Sequence, residues 1–582
     1  MSRQYILTRS GQVENVYGAF LKELLVSEGF MGFELVDIDT APMPRFTAQD
    51  MVVVTRCHLR DAEFAQIKDA ISQGASAAII QPQSRFAAQF GWKCENWVIH
   101  PAYVGIDKGY PGSGQPLQTH LPVPVYIAEG KEPKDWRVVA KAFDKSWEGG
   151  GSPAVVSGGC GSGKLTFLFY DLPEAVARIR FGNPDLAGYC TSGIFRWPHA
   201  FDLFAGHLDE RLKHVPQADL HCQLMAKLLT ETSPYPLPRL WYYEEVADRT
   251  ACVFQSDDDY SKPEDFEALA RAAEKRGGAI SFYLMENTKL SMEQIRDLEA
   301  HGHTVAPHID ASGSFNGAPV DDVYFNFPER LEEETRRFDG KYGRHGATLQ
   351  PHCSPWRGHL ETIPAHIRNG YRLLFAYMCF LPANEQGDPV GCQAGNWGNY
   401  LCGSGRPIKF FDRQSKVQDC WQQPLLFFDD GIYKDFFALT DRAVQAFASK
   451  LEDSAIRTHS TLSILSHPVS FTSYSGPAWE AALDLLQAGG HKIYSGDKWL
   501  EFQDRRAGVS VSHKTLPDGT LQVGVENLNG RLPLMIPAHG VKEIQVNGGK
   551  TAGIRRELLS DDYVFIQLDS SKHVGCWTIE VK

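Results

Sequence analysis

Over most of the chain, short unbroken apolar runs alternate with longer stretches whose apolar residues recur at helical spacing. "QYILTR" precedes the amphipathic "VENVYGAFLKELLVSEG"; then come "FELVDI", "MVVVTR", the helix-like "RDAEFAQIKDAISQG" and "SAAIIQP". Continuous apolar strands separated by helices predict a parallel sheet covered on both faces, and so a flavodoxin-like first domain. That domain is expected to run through "PAVVSGGCGSGKLTFLFYDLPEAVARIRFGNPDLAG" to the proline-rich stretch 233–241, giving a boundary at residue 240. From 241 to 506, "ACVFQSD", "AISFYLM", "RLLFAYM", "PLLFFDD" and "LSILSHP" again alternate with helical segments, which predicts a second α/β unit with room for a (β/α) barrel. After "KWLEFQDRRAG" the period changes to two, with turn pairs Asp518-Gly519, Asn529-Gly530 and Asn547-Gly548, so residues 507–582 are expected to form a β-sandwich.

Composition narrows the class. With 582 residues, 43% apolar and 22% charged, the chain has the makings of a soluble multidomain protein. A formal charge of -13 and the lack of a basic tract argue against nucleic acid or an anionic membrane as partner. The chain passes from Met1 straight into a strand-like run, no window of about 18 apolar residues occurs, and the twelve cysteines show no CxxC spacing. The expectation is a cytoplasmic protein with reduced thiols and no membrane segment.

Two motifs invite a chemical reading. "GGCGSGKLT" (158–166) nearly spells a phosphate loop, but Leu165 stands where magnesium needs Ser or Thr, and a strand follows where a helix should open. It is expected to be a hairpin turn, with Cys160 a weak alternative as a nucleophile. "SDDDY" ends an apolar strand, placing Asp257, Asp258 and Asp259 at the carboxyl edge of a parallel sheet, where α/β active sites are built. Neighbouring carboxylates there can divide the work, one binding a cation and the other acting as a base. "EAHGHTVAPHIDASG" adds His301, His303 and His308, "LQPHCSPWRGHLE" adds His352 and "LSILSHPVSF" adds His467. Imidazoles gathered with carboxylates at strand ends suit zinc or another divalent transition metal.

In order and spacing these segments resemble the polysaccharide deacetylase superfamily, the NodB-homology domain of family 4 carbohydrate esterases. "QSDDDY" stands for its T-F-D-D motif, "AHGHTVAPH" for its histidine segment with His308 fifty residues after Asp258, "LQPHCSPWRG" for its arginine/proline motif and "ILSHP" for its Leu-x-His strand. The resemblance covers residues from about 250 to 500. It implies a distorted (β/α) barrel and one divalent metal, zinc first, with Asp257 the general base, Asp258 and His308 ligands, and His467 the general acid. Two departures stand out: Ser312 occupies the place of the family's third ligand, and the arginine motif is altered around Gln350 and His352. His352 can supply the missing ligand, and sliding the motif by one residue sets Asp259 against Asp258.

The N-terminal segment resembles glutamine-amidotransferase-like domains but offers no intact cysteine/histidine/glutamate triad, which implies a non-catalytic partner domain. Trp356, Trp397 and Tyr400 are candidate sugar-stacking residues, each also a natural core residue. The expected reaction is hydrolysis of an N-acetyl group on a carbohydrate to amine and acetate. Two other readings stay open: hydrolysis of another amide C–N bond on the same scaffold, and a catalytically inactive carbohydrate-binding protein. A carbohydrate substrate is the expected partner, and a homo-oligomer is compatible with the sequence.

Overall fold

Strand Gln4–Thr8 is buried along its whole length and pairs in parallel with Phe33–Asp37 on one side and Met51–Val54 on the other. The structure is a computed structural model describing residues 2–12, 15–130, 135–147, 150–190, 197–206, 209–212, 215–310, 326–343, 345–377, 403–429, 449, 452–558, 561–573 and 575–582. Ser76–Ile80 and Gly163–Leu168 continue the parallel run. Ser152–Cys160, Trp136–Phe143, Tyr103–Ile106 and Leu117–Gln118 then extend it antiparallel to nine strands. The apolar runs predicted a parallel sheet, and five of the nine strands run parallel. Ser152–Cys160 is joined to its two sheet neighbours by segments 144–151 and 161–162, too short for a crossover helix, so it pairs antiparallel with both.

The segment that nearly spells a phosphate loop is a hairpin. Cys160 faces Gly163 across a two-residue turn, and Gly161 supplies φ +60°. The Cys160 thiol lies 3.9 Å from the Ser72 hydroxyl.

In the middle of the chain, strand Ala251–Asp257 is flanked in parallel by Ser281–Leu284, by Leu462–Leu465 and, at its start, by Lys492–Tyr494. Thr304–Pro307 pairs with Ser281–Leu284, and Phe427–Phe428 with Leu462–Leu465. A second sheet holds Thr348–Leu349 and Leu373–Leu374 in parallel. Single hydrogen bonds join the two sheets. Gly346 N donates to Val305 O at 2.9 Å, His352 N to Ile309 O at 2.8 Å and Leu425 N to Tyr377 O at 3.0 Å. The parallel strands thereby trace an irregular ring whose carboxyl ends share one rim.

The last segment forms two antiparallel sheets over a common apolar core. Its turns fall at the Asp/Gly and Asn/Gly pairs, with Gly519, Gly530 and Gly548 all left-handed. The proline-rich stretch is more than a linker, because Arg239–Leu240 adds an edge strand to this unit by pairing with Arg531–Pro537. Among the described residues no helix is long and apolar enough to cross a membrane.

A fully buried carboxylate ties the segments together. Glu28 Oε2 accepts from Arg239 Nη2 at 2.8 Å and the Tyr242 hydroxyl at 2.7 Å, and its Oε1 accepts from Arg406 Nη1 at 2.6 Å. Arg506 donates to the carbonyls of Val26, Ser27, Leu240 and Trp241 beside it. Gly29, with φ +88°, lets the chain pass the linker here, since a Cβ would sit 2.2 Å from Leu240 O. Removing one partner from such a cluster strands buried charge. Glu28→Ala is therefore expected to cost about 3–5 kcal/mol, read as a lowered denaturation midpoint.

Glu23, on the same helix (Phe20–Ser27), is buried, accepts from Lys409 N at 3.1 Å, and is pushed by burial from 4.5 up to about 7. The folded state thus holds this proton more tightly than the unfolded chain. Its stabilisation is complete below the unfolded value and is lost as pH rises through the folded one. Glu23→Gln, which keeps the acceptor without the charge, is expected to raise the melting temperature at about pH 8 and leave it nearly unchanged at about pH 4, as thermal scans at both values would show.

Candidate active site

Five strand ends on the shared rim supply the candidate residues. Asp257 closes the strand Ala251–Asp257, and His308 follows Thr304–Pro307 with its amide on Leu284 O at 2.7 Å. His352 follows Thr348–Leu349, Asp429 follows Phe427–Phe428 and His467 follows Leu462–Leu465. Carboxyl ends of parallel strands gather loops from distant parts of the sequence, which is why residues over two hundred positions apart meet here.

The three acids separate by alternation. Asp258 turns away from the cluster, its Oδ2 accepting from Met285 N at 3.2 Å, and burial raises its pKa. Asp257 and Asp259 share the other side. Asp259 takes a left-handed conformation, φ +35°, followed by Tyr260 at φ +64°, and this reversal turns its carboxylate back over the strand end. Asp259 Oδ1 lies 3.6 Å from His308 Nε2, and its Oδ2 lies 3.4 Å from His467 Nε2. Asp257 Oδ1 is 3.8 Å from His308 Nδ1.

Asp259, His308 and His352 offer one ligand atom each within 4.8 Å of one another. The sequence motif pointed to Asp258, His308 and His352; the cluster contains the acid one place later. His308 Nδ1 donates to Gln350 O at 2.8 Å, so it is Nε2, facing the carboxylate, that would give up its proton to take a cation. His352 Nδ1 donates to Asp310 Oδ1 at 3.2 Å, and its Nε2 lies 3.3 Å from Cys353 Sγ. Asp257 Oδ1 and Asp259 Oδ1 are buried without a hydrogen bond. Lone pairs converging from two imidazoles and one carboxylate, with orphaned acceptors beside them, fit a divalent cation of the zinc class.

The electrostatics follow from this crowding. Burial pushes Asp257 up to about 7, against the pull of His308 and His467. Burial also works to raise Asp259, but His467 and His308 hold it well below the carboxylate range. Burial would lower His308, yet Asp257 and Asp259 carry it up to about 9. His352 is lowered by burial, with Asp310 opposing.

His467 is held by an acid that sequence reasoning missed. Its Nδ1 donates to Asp429 Oδ1 at 2.7 Å and its amide to Asp429 Oδ2 at 2.9 Å, and Asp429 is fully buried. The run "PLLFFDD" reads as a strand, and Asp429, the first of its two closing acids, repeats the pattern of "ACVFQSDDD".

The other candidates scatter. His301 is exposed at the end of helix Met292–Ala300, and His303 is engaged between Ile280 N and Glu274. Trp356 is 1% exposed and donates to His359 O at 2.7 Å, so its rings serve the core and present no face to a sugar. Ser312, Trp397 and Tyr400 lie outside the described residues.

No family model and no curated protein matches the chain. Solved structures do. One is titled "Crystal structure of Agd3 a novel carbohydrate deacetylase": 11% identity over 100% of this chain and 98% of that one, TM-score 0.43. A family 4 carbohydrate esterase from Streptomyces lividans in complex with acetate shows 12% identity over 42% of this chain and 92% of that one, TM-score 0.25. A BA3943 mutant, a CE4 family pseudoenzyme with restored enzymatic activity, shows 11% identity over 43% and 67%, TM-score 0.26. All three TM-scores are low, and the chemistry of the site stands on its own geometry.

The cluster predicts which acid binds metal. Asp259→Ala and His308→Ala are each expected to weaken zinc binding by about tenfold or more, whereas Asp258→Ala, if folded, retains it. Metal analysis after equilibrium dialysis separates the two acids.

Proposed function

We propose that the chain is a metal-dependent deacetylase that hydrolyses an N-acetyl group on a carbohydrate to an amine and acetate. The observation that carries this reading is one rim on which a three-atom cation cluster, a buried acid poised near neutrality and an acid-oriented imidazole stand within a few ångströms of one another. In this reading the ring of strands is the distorted (β/α) barrel of such enzymes, and Asp259, His308 and His352 hold the ion.

A divalent ion bound there polarises the acetyl carbonyl and acidifies water. The remaining steps belong to the protein. Asp257, buried at the strand end beside His308, is placed to accept the proton of the attacking water. His467, with Nδ1–H committed to Asp429, presents Nε2 to the rim and gives a proton to the departing nitrogen. Asp429 fixes the tautomer and stabilises the imidazolium. This proton donor favours C–N over C–O cleavage, because an amine leaves as a neutral molecule only after protonation. Asp258 holds the strand end through Met285 N and takes no part in proton transfer.

Acetate release from N-acetylated oligosaccharides, with and without a chelator, tests the reading. Metal-dependent acetate is expected; a metal-loaded protein releasing none from any acetylated sugar would exclude it. His467→Ala is expected to lower kcat about 10²–10⁴-fold with metal content unchanged. Asp429→Asn is expected to lower kcat less and to leave KM in place, as a positioning residue should. Steady-state kinetics beside metal analysis would show both.

A further inference from the structure

The backbone at the cluster holds an oddity that metal binding alone does not require. Asp259 and Tyr260 are consecutive left-handed residues, φ +35° and +64°. A short acid tolerates that region, whereas a bulky aromatic is disfavoured there and glycine is free of the penalty. Outliers of this kind persist where the surroundings over-determine them, and they concentrate at functional sites. Here the turn is held from both sides. Lys289 Nζ donates to Tyr260 O at 3.0 Å, and Ser261 N donates to Asp258 O at 2.9 Å.

The same reversal that folds the Asp259 carboxylate inward throws the next side chain outward. Tyr260 is 54% exposed, while most aromatic rings of the ring of strands are buried. It has an apolar neighbour on the rim. Ser261 Oγ accepts from Val469 N at 3.0 Å, joining the turn to the segment two residues past His467, and Val469 is itself 38% exposed. An exposed aromatic residue thus directly follows the cluster acid Asp259, and a part-exposed aliphatic one stands two residues past His467, the two segments being tied through Ser261.

This pairing has a chemical complement. A pyranose carries a contiguous C–H face and a rim of hydroxyls. Its C–H face packs on an aromatic ring while the hydroxyls stay in water, and tyrosine suits the role because its ring is apolar and its hydroxyl is wet. A ring-free acetyl compound gains nothing from such a surface. We propose that Tyr260 is the sugar-stacking platform of this site and sets its preference for acetyl groups carried on a pyranose. The catalytic part of this inference rests on the deacetylase reading; the sugar contact does not.

Two measurements keep those failures apart. The first is binding: N-acetylated chito-oligosaccharide is titrated into the zinc-loaded protein carrying His467→Ala, followed by saturation-transfer NMR. Binding is expected in that background, weakened about tenfold by adding Tyr260→Ala and kept within about threefold by Tyr260→Phe, which retains the ring. The second is the ratio of kcat/KM for the oligosaccharide over ring-free N-acetylethanolamine. Tyr260→Ala is expected to lower that ratio about tenfold through KM, with zinc content unchanged.

Equal affinity in Tyr260→Ala, or equal damage from Ala and Phe, overturns the proposal. So does loss of zinc in Tyr260→Ala, which would make the residue a support for Asp259 alone. Failure of the protein to bind the oligosaccharide overturns it as well. Binding that follows this pattern in a protein releasing no acetate supports Tyr260 and removes the deacetylase reading instead.

Discussion

The whole arrangement hangs on a carboxylate that solvent never reaches. Glu28 is fully buried, and its two oxygens are shared among Arg239 from the linker, Arg406 from the middle segment and Tyr242. Isolated, each of these charges would be costly to bury; together, their hydrogen bonds satisfy one another. Arg506 caps the helix end that carries Glu28 and reaches the linker carbonyls as well. The contact draws on four separated stretches of sequence, so the first sheet, the ring of strands and the terminal sandwich cannot drift apart without exposing it. Sharing one apolar core across the first two units adds non-directional adhesion, and the ion cluster adds register.

That rigidity matters because the candidate site is built from strand ends, whose positions are only as fixed as the ring that carries them. Asp257, His308, His352, Asp429 and His467 reach the rim from five strands, and the two clustered imidazoles come from neighbouring ones. The ring is closed in places by single hydrogen bonds, such as His352 N to Ile309 O, so one of the cluster's imidazoles sits on a thin seam. The second-layer acceptors Gln350 O, Asp310 and Asp429 compensate by fixing ring orientation directly.

Much of this was legible in the residues. Continuous apolar runs ending in Asp or His located Asp257, His308, His352 and His467, because strand carboxyl ends are where such residues are placed to act. The failed phosphate loop was legible as a hairpin from Leu165 and the strand behind it. What escaped was whatever depends on a backbone dihedral or on distant burial. Alternation sets Asp257 and Asp259 on one side and Asp258 on the other, but it cannot show that the Asp259 carboxylate turns back between His308 and His467, since that depends on a left-handed residue just past the strand. Asp429 lacked a motif of its own, and its role exists only through a residue 38 positions later. Trp356 read equally as a surface or a core residue until packing against the ring of strands buried it. The antiparallel half of the first sheet escaped because apolar content reports burial on both faces and says nothing of strand direction.

The left-handed turn at 259–260 joins these threads. In an extended strand Asp257 and Asp259 would point the same way about 7 Å apart along the chain, too far for both to serve one small group. Reversing the backbone at Asp259 shortens that separation and brings its carboxylate between two imidazoles, at 3.6 and 3.4 Å. In the deacetylase reading, this strain is how two acids of one strand end would divide into a ligand and a base. A glycine at 260 would relieve half of it without touching the acid. The tyrosine that stands there instead is 54% exposed, which puts a solvent-accessible ring directly after the cluster acid.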